Sequence, residues 1–565
     1  MIGKPMWRIL LLFPLLCASW TVAQVEHVPI SHPVYEFLDR LGVEGVLPAH
    51  SSSMVPLERG EVSALLRTAA SFRSSIADVG GGDVEGATLD KYLKEFAPDA
   101  GSRPGEDLVL LGAHESFGAF IAGLASQKQK YLVAYADSFI TIYGELLGSA
   151  EYRSLNGDSR GDVDATLGTI GGRFRGTIAG KVGYLLQSTN GVLLGNRTFA
   201  LSDPRLATNV KLNEPNSRNF DVTEAYLRYS FGWGGVQFGR EFASQGVGYS
   251  DRLMLSDNAP AFDALGLSVH YKAFRFQYLH ASLLKDPSPA VGLLVTEPAE
   301  ANKYLALHRF QFSLFDRLNV AASEMVIYQR LTPEYAYLLP VNFFKSAEHS
   351  LRDRDNALLV FDVEYFPHPG YKLYGTWLID DIDFKRIGTG WWGNEFGWQG
   401  GAYIANIAGL RNLDAIVEYT RIEPYVYSNR EAGNDYSHSG IGLGHRLQPN
   451  SDEMLGELRF RVSSTLRTRL HYSYQRHGEN VIVGDSLVRN VGGSLTQGHR
   501  SSDSETAPFL DGERVDTHRL GIRADYEPIT DLFVTGVVDW TNAHDVTAAT
   551  SRRDLALSLQ LRIEY

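Results

Sequence analysis

The 565-residue chain has a single cysteine, Cys17, and it lies in an apolar amino-terminal run. Lys4 and Arg8 precede apolar residues 9–16, and Thr21-Val22-Ala23 offers small residues for a cut, so residues 1–23 read as an export signal. Cleavage near Ala23 leaves a chain without thiols, which excludes disulfides, cysteine nucleophiles and cysteine zinc sites. Beyond the signal, no apolar run reaches the roughly 18 residues a membrane helix needs. Basic tracts are also missing. After residue 23 the chain keeps 51 Lys and Arg against 66 Asp and Glu, a balance that disfavours nucleic acid and other polyanions. No HExxH pair, P-loop, nucleophile elbow or dinucleotide fingerprint occurs. No catalytic set, metal or cofactor is therefore expected, and no solenoid or propeller repeat is visible.

What is present is alternation. Leu555, Leu557, Leu559, Leu561, Ile563 and Tyr565 share one face of a strand, and Ala556, Ser558, Gln560, Arg562 and Glu564 share the other. About ten alternating residues suffice for a tilted strand to cross a bilayer. The same pattern recurs at Leu227-Tyr229-Phe231, Phe274-Phe276-Tyr278, Leu359-Phe361-Val363-Tyr365, Leu470-Tyr472-Tyr474 and Leu520-Ile522-Ala524-Tyr526. Charged residues such as Arg228, Arg275, Asp362 and Arg469 on the second face imply a wet lumen. A mean hydropathy of −0.16 suits a chain in which only alternate residues meet lipid.

Counting back from Tyr565, long links (542–552, 478–514, 425–453, 383–395, 329–356, 285–302, 243–263, 189–218) take turns with short ones. Long outer loops and tight periplasmic turns are the habit of outer-membrane barrels, and residues 130–565 supply about 18 strands. The expected fold is an all-β transmembrane antiparallel barrel with a small amino-terminal helical module. Residues 24–112 form that periplasmic module and its linker. Ser31 is read as the cap of its first helix, Pro56 as the start of its second, and Thr88 as the cap of its third, after a Gly-rich linker at 79–86. The apolar stretch within 113–129 would make an odd strand number, so it is placed outside the wall, as a plug or lead-in.

Candidate binding residues lie in the outer loops. Loop 243–263 presents Tyr249, Arg252, Asp257, Asn258 and Asp263, although turn formers of this kind also simply order a loop. Asp355 and Asn356 end another loop; Trp391 and Trp392 sit in the loop 383–395. An indole face stacks on sugar C–H groups, but loop tryptophans also anchor barrels at the membrane interface. Asp380 and Asp381 invite a glycosidase reading. On a regular strand these neighbours point to opposite faces, which leaves Asp381 as a binding candidate only.

An ordered series of short motifs then resembles a known family. Leu38-Asp39-Arg40-Leu41-Gly42-Val43 and Pro56-Leu57-Glu58-Arg59-Gly60-Glu61-Val62 come first. Gly246-Val247-Gly248-Tyr249, Leu255-Ser256-Asp257-Asn258-Ala259-Pro260, His308-Arg309-Phe310 and Leu339-Pro340-Val341 follow. Asp355-Asn356-Ala357, Leu373-Tyr374-Gly375, Asp380-Asp381, Val417-Glu418-Tyr419-Thr420-Arg421 and Leu443-Gly444-His445-Arg446-Leu447 complete the set. The series is similar to Wzi-type capsule assembly proteins over nearly the whole chain. It departs at Ser244-Gln245, where the family often has an aromatic residue, and at Val247, which replaces a proline. The resemblance implies a non-enzymatic, lectin-like outer-membrane barrel that attaches or organises capsular polysaccharide or exopolysaccharide. Its partners would be that glycan, outer-membrane lipid and the barrel-assembly machinery. The alternative is a diffusion channel for sugars or other small solutes, since so wide a barrel leaves a pore unless it is filled.

Overall fold

The computed structural model describes residues 24–75, 84–97, 107–214, 216–286, 292–295 and 297–565. The export signal at 1–23 and residues 79–83 of the Gly-rich linker lie outside the described residues. Eighteen antiparallel strands close a barrel. They are β1 (Thr141–Gly157), β2 (Val163–Ile178), β3 (Val182–Gly195), β4 (Asn219–Ser230), β5 (Gly234–Glu241) and β6 (Phe262–Tyr271). Next come β7 (Phe274–Leu283), β8 (Asn302–Leu314), β9 (Leu318–Arg330), β10 (Asn356–Tyr365), β11 (Tyr371–Asp381) and β12 (Glu395–Ile404). The last six are β13 (Leu413–Ile422), β14 (Ser451–Arg461), β15 (Leu466–Glu479), β16 (Glu513–Ile529), β17 (Leu532–Asp545) and β18 (Thr550–Glu564). Each pairs with the next, and β18 returns to β1 in a ladder from Asp554↔Gly157 to Glu564↔Leu147.

The alternation of β18 has the predicted consequence. Leu555, Leu557, Leu559 and Leu561 face out and are 41–53% exposed, whereas Ser558 Oγ reaches Glu151 inside at 2.9 Å. Inner turns such as 179–181, 272–273 and 530–531 are tight, and most outer links are long. The outer link expected at 542–552 shrinks to 546–549, because β17 and β18 continue pairing up to Asp545↔Thr550.

The outer half of the lumen is packed with chain rather than open, where charged residues on the second face implied a wet lumen. Loops 242–261 and 423–450 fold inward, and Leu253, Met254, Leu255, Tyr427, Tyr436, Leu443 and Leu447 pack on Leu305, Leu307, Met325, Ile327, Leu358, Val360 and Leu378 of the wall. The inward faces of β8 to β10 are apolar at Leu305, Leu307, Met325, Ile327, Leu358 and Val360, where they pack these loops. The folded-in backbone is hydrogen-bonded, as burial demands: Tyr427 Oη donates to Leu253 O (2.7 Å), and Ser256 N donates to Leu443 O (2.8 Å). Gly248 has φ +152°, and a Cβ there would stand 2.0 Å from Asp251 O, so the turn admits no side chain.

The helical module fills the other end. Its helices are α1 (Val34–Val43), α2 (Arg59–Ser75) and α3 (Val84–Glu95), packed through Val34, Phe37, Leu38, Leu41, Val62, Leu66, Leu89, Tyr92 and Phe96. The starts differ from the sequence reading. Val34 N donates to His32 Nδ1 (3.1 Å), so the His32 ring, not Ser31, receives the first free N–H of α1. Helix α2 begins at Arg59, not Pro56, just after Glu58, which is held by Arg228 of the wall. Thr88 lies inside α3, its hydroxyl bonded to Val84 O (2.7 Å).

Ion pairs dock the module to the inward face of the wall. Arg40 meets Asp414 (3.0 Å), Asp39 meets Lys372 (3.2 Å), Glu58 meets Arg228 (2.7 Å), Glu61 meets Arg275 (2.5 Å) and Glu36 meets Arg469 (2.6 Å). Met54–Val55 pairs with Ser244–Gln245 of loop 242–261, and Arg252 Nη2 donates to Ser52 O (2.7 Å). Inner module and outer loop therefore meet within the barrel. The stretch 113–129, expected outside the wall as a plug or lead-in, forms α4 (Phe117–Leu124), which leaves Phe117 and Ile121 exposed beside the inner turn near Pro528.

One outer loop behaves differently. Loop 331–355 forms a hairpin of α5 (Tyr335–Leu338) and α6 (Phe344–Ser350) that turns down over the outward face of β7 to β9.

Candidate functional site at the outer mouth

At the outer ends of β10, β11 and β12 a cavity of about 60 Å³ is lined by Asp355, Asn356, Asp380, Asp381, Trp392 and Glu395. Lys345 and Glu348 of α6, Asp353, Arg354, residues 428–431 and His499 complete it. Seven carboxylates face three cationic side chains here, so the cavity is acidic.

A β-bulge explains how adjacent aspartates enter one cavity. Ile379 pairs with Phe396 and Asp381 pairs with Glu395, so β11 carries one residue more than β12 across this step. The expectation that Asp380 and Asp381 point to opposite faces assumed a regular strand and is corrected. Asp380 Oδ2 accepts from Tyr427 N (2.5 Å), which ties the rim to the inward loop. Asp381 Oδ1 accepts from Ile382 N (2.8 Å), and its side chain is exposed.

The aromatic wall comes from two loops that pair with each other. Trp392 N donates to Glu505 O (3.2 Å) and Ala507 N to Gly390 O (2.9 Å). The Trp392 ring lies flat on His499, centroids 3.8 Å apart and planes 3° from parallel. Trp391 packs on Trp392 at 5.5 Å and under the Arg386 guanidinium at 4.6 Å. Asp355 bonds Arg330 (3.0 Å) and Tyr337 Oη (2.8 Å). Burial raises its carboxyl from the usual range, and Arg330 and Tyr337 pull it back. Asn356 Nδ2 donates to Asn434 O (2.9 Å), which fixes loop 423–450 beside the cavity.

The structure thus brings Asp355, Asn356, Asp381, Trp391 and Trp392 together. Those expected in loop 243–263 lie elsewhere, because that loop folds inward. Tyr249 is deep in the lumen, its hydroxyl shared by Asp39 and Lys372 (3.1 Å) and its ring against Tyr374 and Tyr403. Arg252 is bound to the module. Asn258 clamps Asp251 (2.6 Å) and Gly444 O (3.0 Å). Asp257 and Asp263 remain exposed, in surface pairs with Arg205 and Arg240. Glu395, Lys345, Arg430 and His499 escaped the sequence reading: each is an ordinary polar residue until the loops fold.

A larger cavity, about 110 Å³, lies between module and wall around His27, Glu61 and Arg275, beneath the inward loops. Glu348, His349 and Asp353 bring ligand-type atoms within 4.8 Å of one another. Two of the three carry cationic partners, Lys345 on Glu348 (2.8 Å) and Arg430 on Asp353 (3.8 Å).

A closed, apolar-belted barrel stopped at both ends, with its exposed chemistry on the outer loops, defines an outer-membrane surface barrel whose lumen is occupied by its own chain. The chain belongs to the family described as capsule assembly protein Wzi, whose model matches residues 147–554. Among solved structures, Wzi of Escherichia coli is described as a carbohydrate-binding β-barrel involved in group 1 capsule assembly. It aligns over 95% of this chain and 99% of its own at 13% identity, with a TM-score of 0.55. Pseudomonas aeruginosa OprD aligns over 75% of this chain and 94% of its own at 10% identity, with a TM-score of 0.43. No curated protein sequence matches.

Proposed function

We propose that this barrel holds capsular polysaccharide or exopolysaccharide at the cell surface without cleaving it, and that the outer-mouth cavity is where the glycan binds. The observation that carries this reading is the cavity itself, where Trp392 and His499 stand beside Asp355, Asn356 and Asp381. Indole faces stack on the C–H side of a sugar, and carboxylates and amides accept and donate hydrogen bonds with its hydroxyls. Each contact is weak, and repetition along a polymer raises retention by avidity. Family membership and the E. coli relative's carbohydrate binding point the same way. Module and inward loops meet in the lumen, so nothing in the geometry favours the diffusion channel.

The same reading gives the chain a signal cut near Ala23, insertion by the barrel-assembly machinery, a lipid-facing belt and a module, within residues 24–112, at the periplasmic side. Detergent-solubilised protein binding to purified surface glycan tests it. Trp392→Ala with Asp381→Asn is expected to lose about tenfold in affinity, ~1.4 kcal/mol. Unchanged binding in that variant, or release of free oligosaccharide by the intact protein, sinks the proposal. A deletion strain that sheds no polysaccharide does so as well.

A further inference from the structure

Outward-facing residues distinguish bare wall from covered wall. On β8 and β9 the inward set is Leu305, Leu307, Met325 and Ile327, which pack on the inward loops. The outward set on β7 to β9 includes Tyr278, Tyr304, Ala306, Val326 and Tyr328, and none of these is more than 8% exposed, against 41–53% for the outward leucines of β18. The cover is the α5–α6 hairpin, whose Tyr337 and Phe344 are fully buried on this face. Tyr278 Oη donates to Tyr337 O (3.0 Å), Phe344 N donates to Glu324 Oε2 (2.7 Å), and His308 Nδ1 lies 3.0 Å from Pro340 O.

The hairpin reaches far down. His308 is midway along Asn302–Leu314. Six residues at about 3.4 Å each and a tilt of roughly 40° put the hairpin tip about 15 Å below the outer end of β8. Below it, Phe312 and Leu314 resume the exposed wall at 45% and 36%. The hairpin's free side is apolar too: Tyr335, Leu339, Val341 and Phe343 are 54–85% exposed, and residues 335–344 carry no charge.

We propose that this outer hairpin lies within the outer leaflet of the membrane, with Leu339, Val341 and Phe343 against lipid acyl chains. The wall beneath explains why. His308 and Glu324 face outward and bond each other at 3.1 Å, and His280 bonds Tyr328 Oη at 2.7 Å. Acyl chains offer such groups no hydrogen bonds, and every unmet polar group in hydrocarbon costs several kcal/mol. The hairpin supplies the Phe344 N–H and the Pro340 carbonyl, then presents a new apolar face. That face is continuous with Phe312 and Leu314 of the lipid belt, which selects acyl chains as the occupant.

The experiment uses the full-length protein, with Cys17→Ser, in phosphatidylethanolamine/phosphatidylglycerol vesicles. Spin labels are placed through Val341→Cys and, separately, Phe343→Cys. Leu557→Cys on β18 serves as the lipid reference and Asp257→Cys as the aqueous one. Heat-modifiable migration verifies folding, and two exposed positions guard against one failing. Oxygen-to-nickel accessibility ratios at 341 and 343 are expected to match Leu557 and exceed Asp257 several-fold. Ratios like Asp257 overturn the proposal by placing the hairpin in water. Protection from both reagents also overturns it, by placing another protein or a second copy over the strip.

Discussion

At the inner-turn end the lumen is stopped by a separately packed helical module, held to the wall by a set of ion pairs beside a small apolar patch of Val43 and Ala49 on Tyr403 and Ile416. At the outer end it is stopped by loops whose leucines merge with leucines of the wall itself. Arg40–Asp414, Lys372–Asp39 and Arg469–Glu36 join two preformed surfaces, whereas Leu253, Met254 and Leu443 share one core with Leu305, Leu307 and Leu358. The lesson is one of independence. A part held by charge can be released by changing the solution, but a part held by burial comes away only when the wall unfolds.

The sharpest way to break this contrast is to hollow the outer core. Leu307→Ala should cost about 2–5 kcal/mol, as large-to-small changes in a filled core do, and lower the temperature of heat-modifiable unfolding. A Glu36→Gln control should barely move that transition. Equal shifts would mean that the two plugs are not held differently.

Conductance in planar bilayers sharpens the comparison next. Removing residues 24–97 alone should leave the barrel silent, because the inward loops remain in the wall's core. Removing 246–258 as well should open a pore. A large conductance from the first deletion alone would show that the outer plug depends on the inner one.

Acid separates the two ends more gently. Burial pushes the Glu36 carboxyl up, but the guanidiniums of Arg469, Arg459 and Arg467 outweigh it and hold the group at about 2 against an ordinary 4.5. Its folded value is depressed, so its stabilisation is complete above pH 4.5 and is lost as pH falls through about 2. Protease access to the module, at constant barrel migration, should rise across that window. A flat profile would remove Glu36 from the docking. Asp263→Asn, which touches neither plug, should change stability by no more than about 0.5 kcal/mol, since exposed ion pairs contribute little.

Much of the wall was legible because a period of two reports directly on lipid at one face. Leu555 to Leu561 needed no other information, and the run of turns and loops set the strand number. The apolar inner residues of β8 to β10 carried no such signal: Leu305 and Leu307 alternate just as well when they face a folded loop as when they face lipid. Helix starts shifted by a few residues, as at α2, which begins after Glu58 is taken by Arg228 of the wall. At the candidate site, Trp392 was visible as a residue type in an outer loop and Asp381 at the end of the strand before it. Tyr249 looked equivalent, and only the inward course of its loop, through Gly248, puts it beside Asp39 instead of at the surface.

The bulge on β11 makes the chemistry of this rim a matter of chain length as much as residue identity. Removing one residue at Asp380 would keep the composition of the strand nearly intact and restore simple alternation opposite Glu395. The acidic rim would then present a different set of side chains with almost the same sequence. Single-residue insertions and deletions at strand ends are thus a route by which related barrels could come to read different sugars, without rebuilding a wall, a core or a loop.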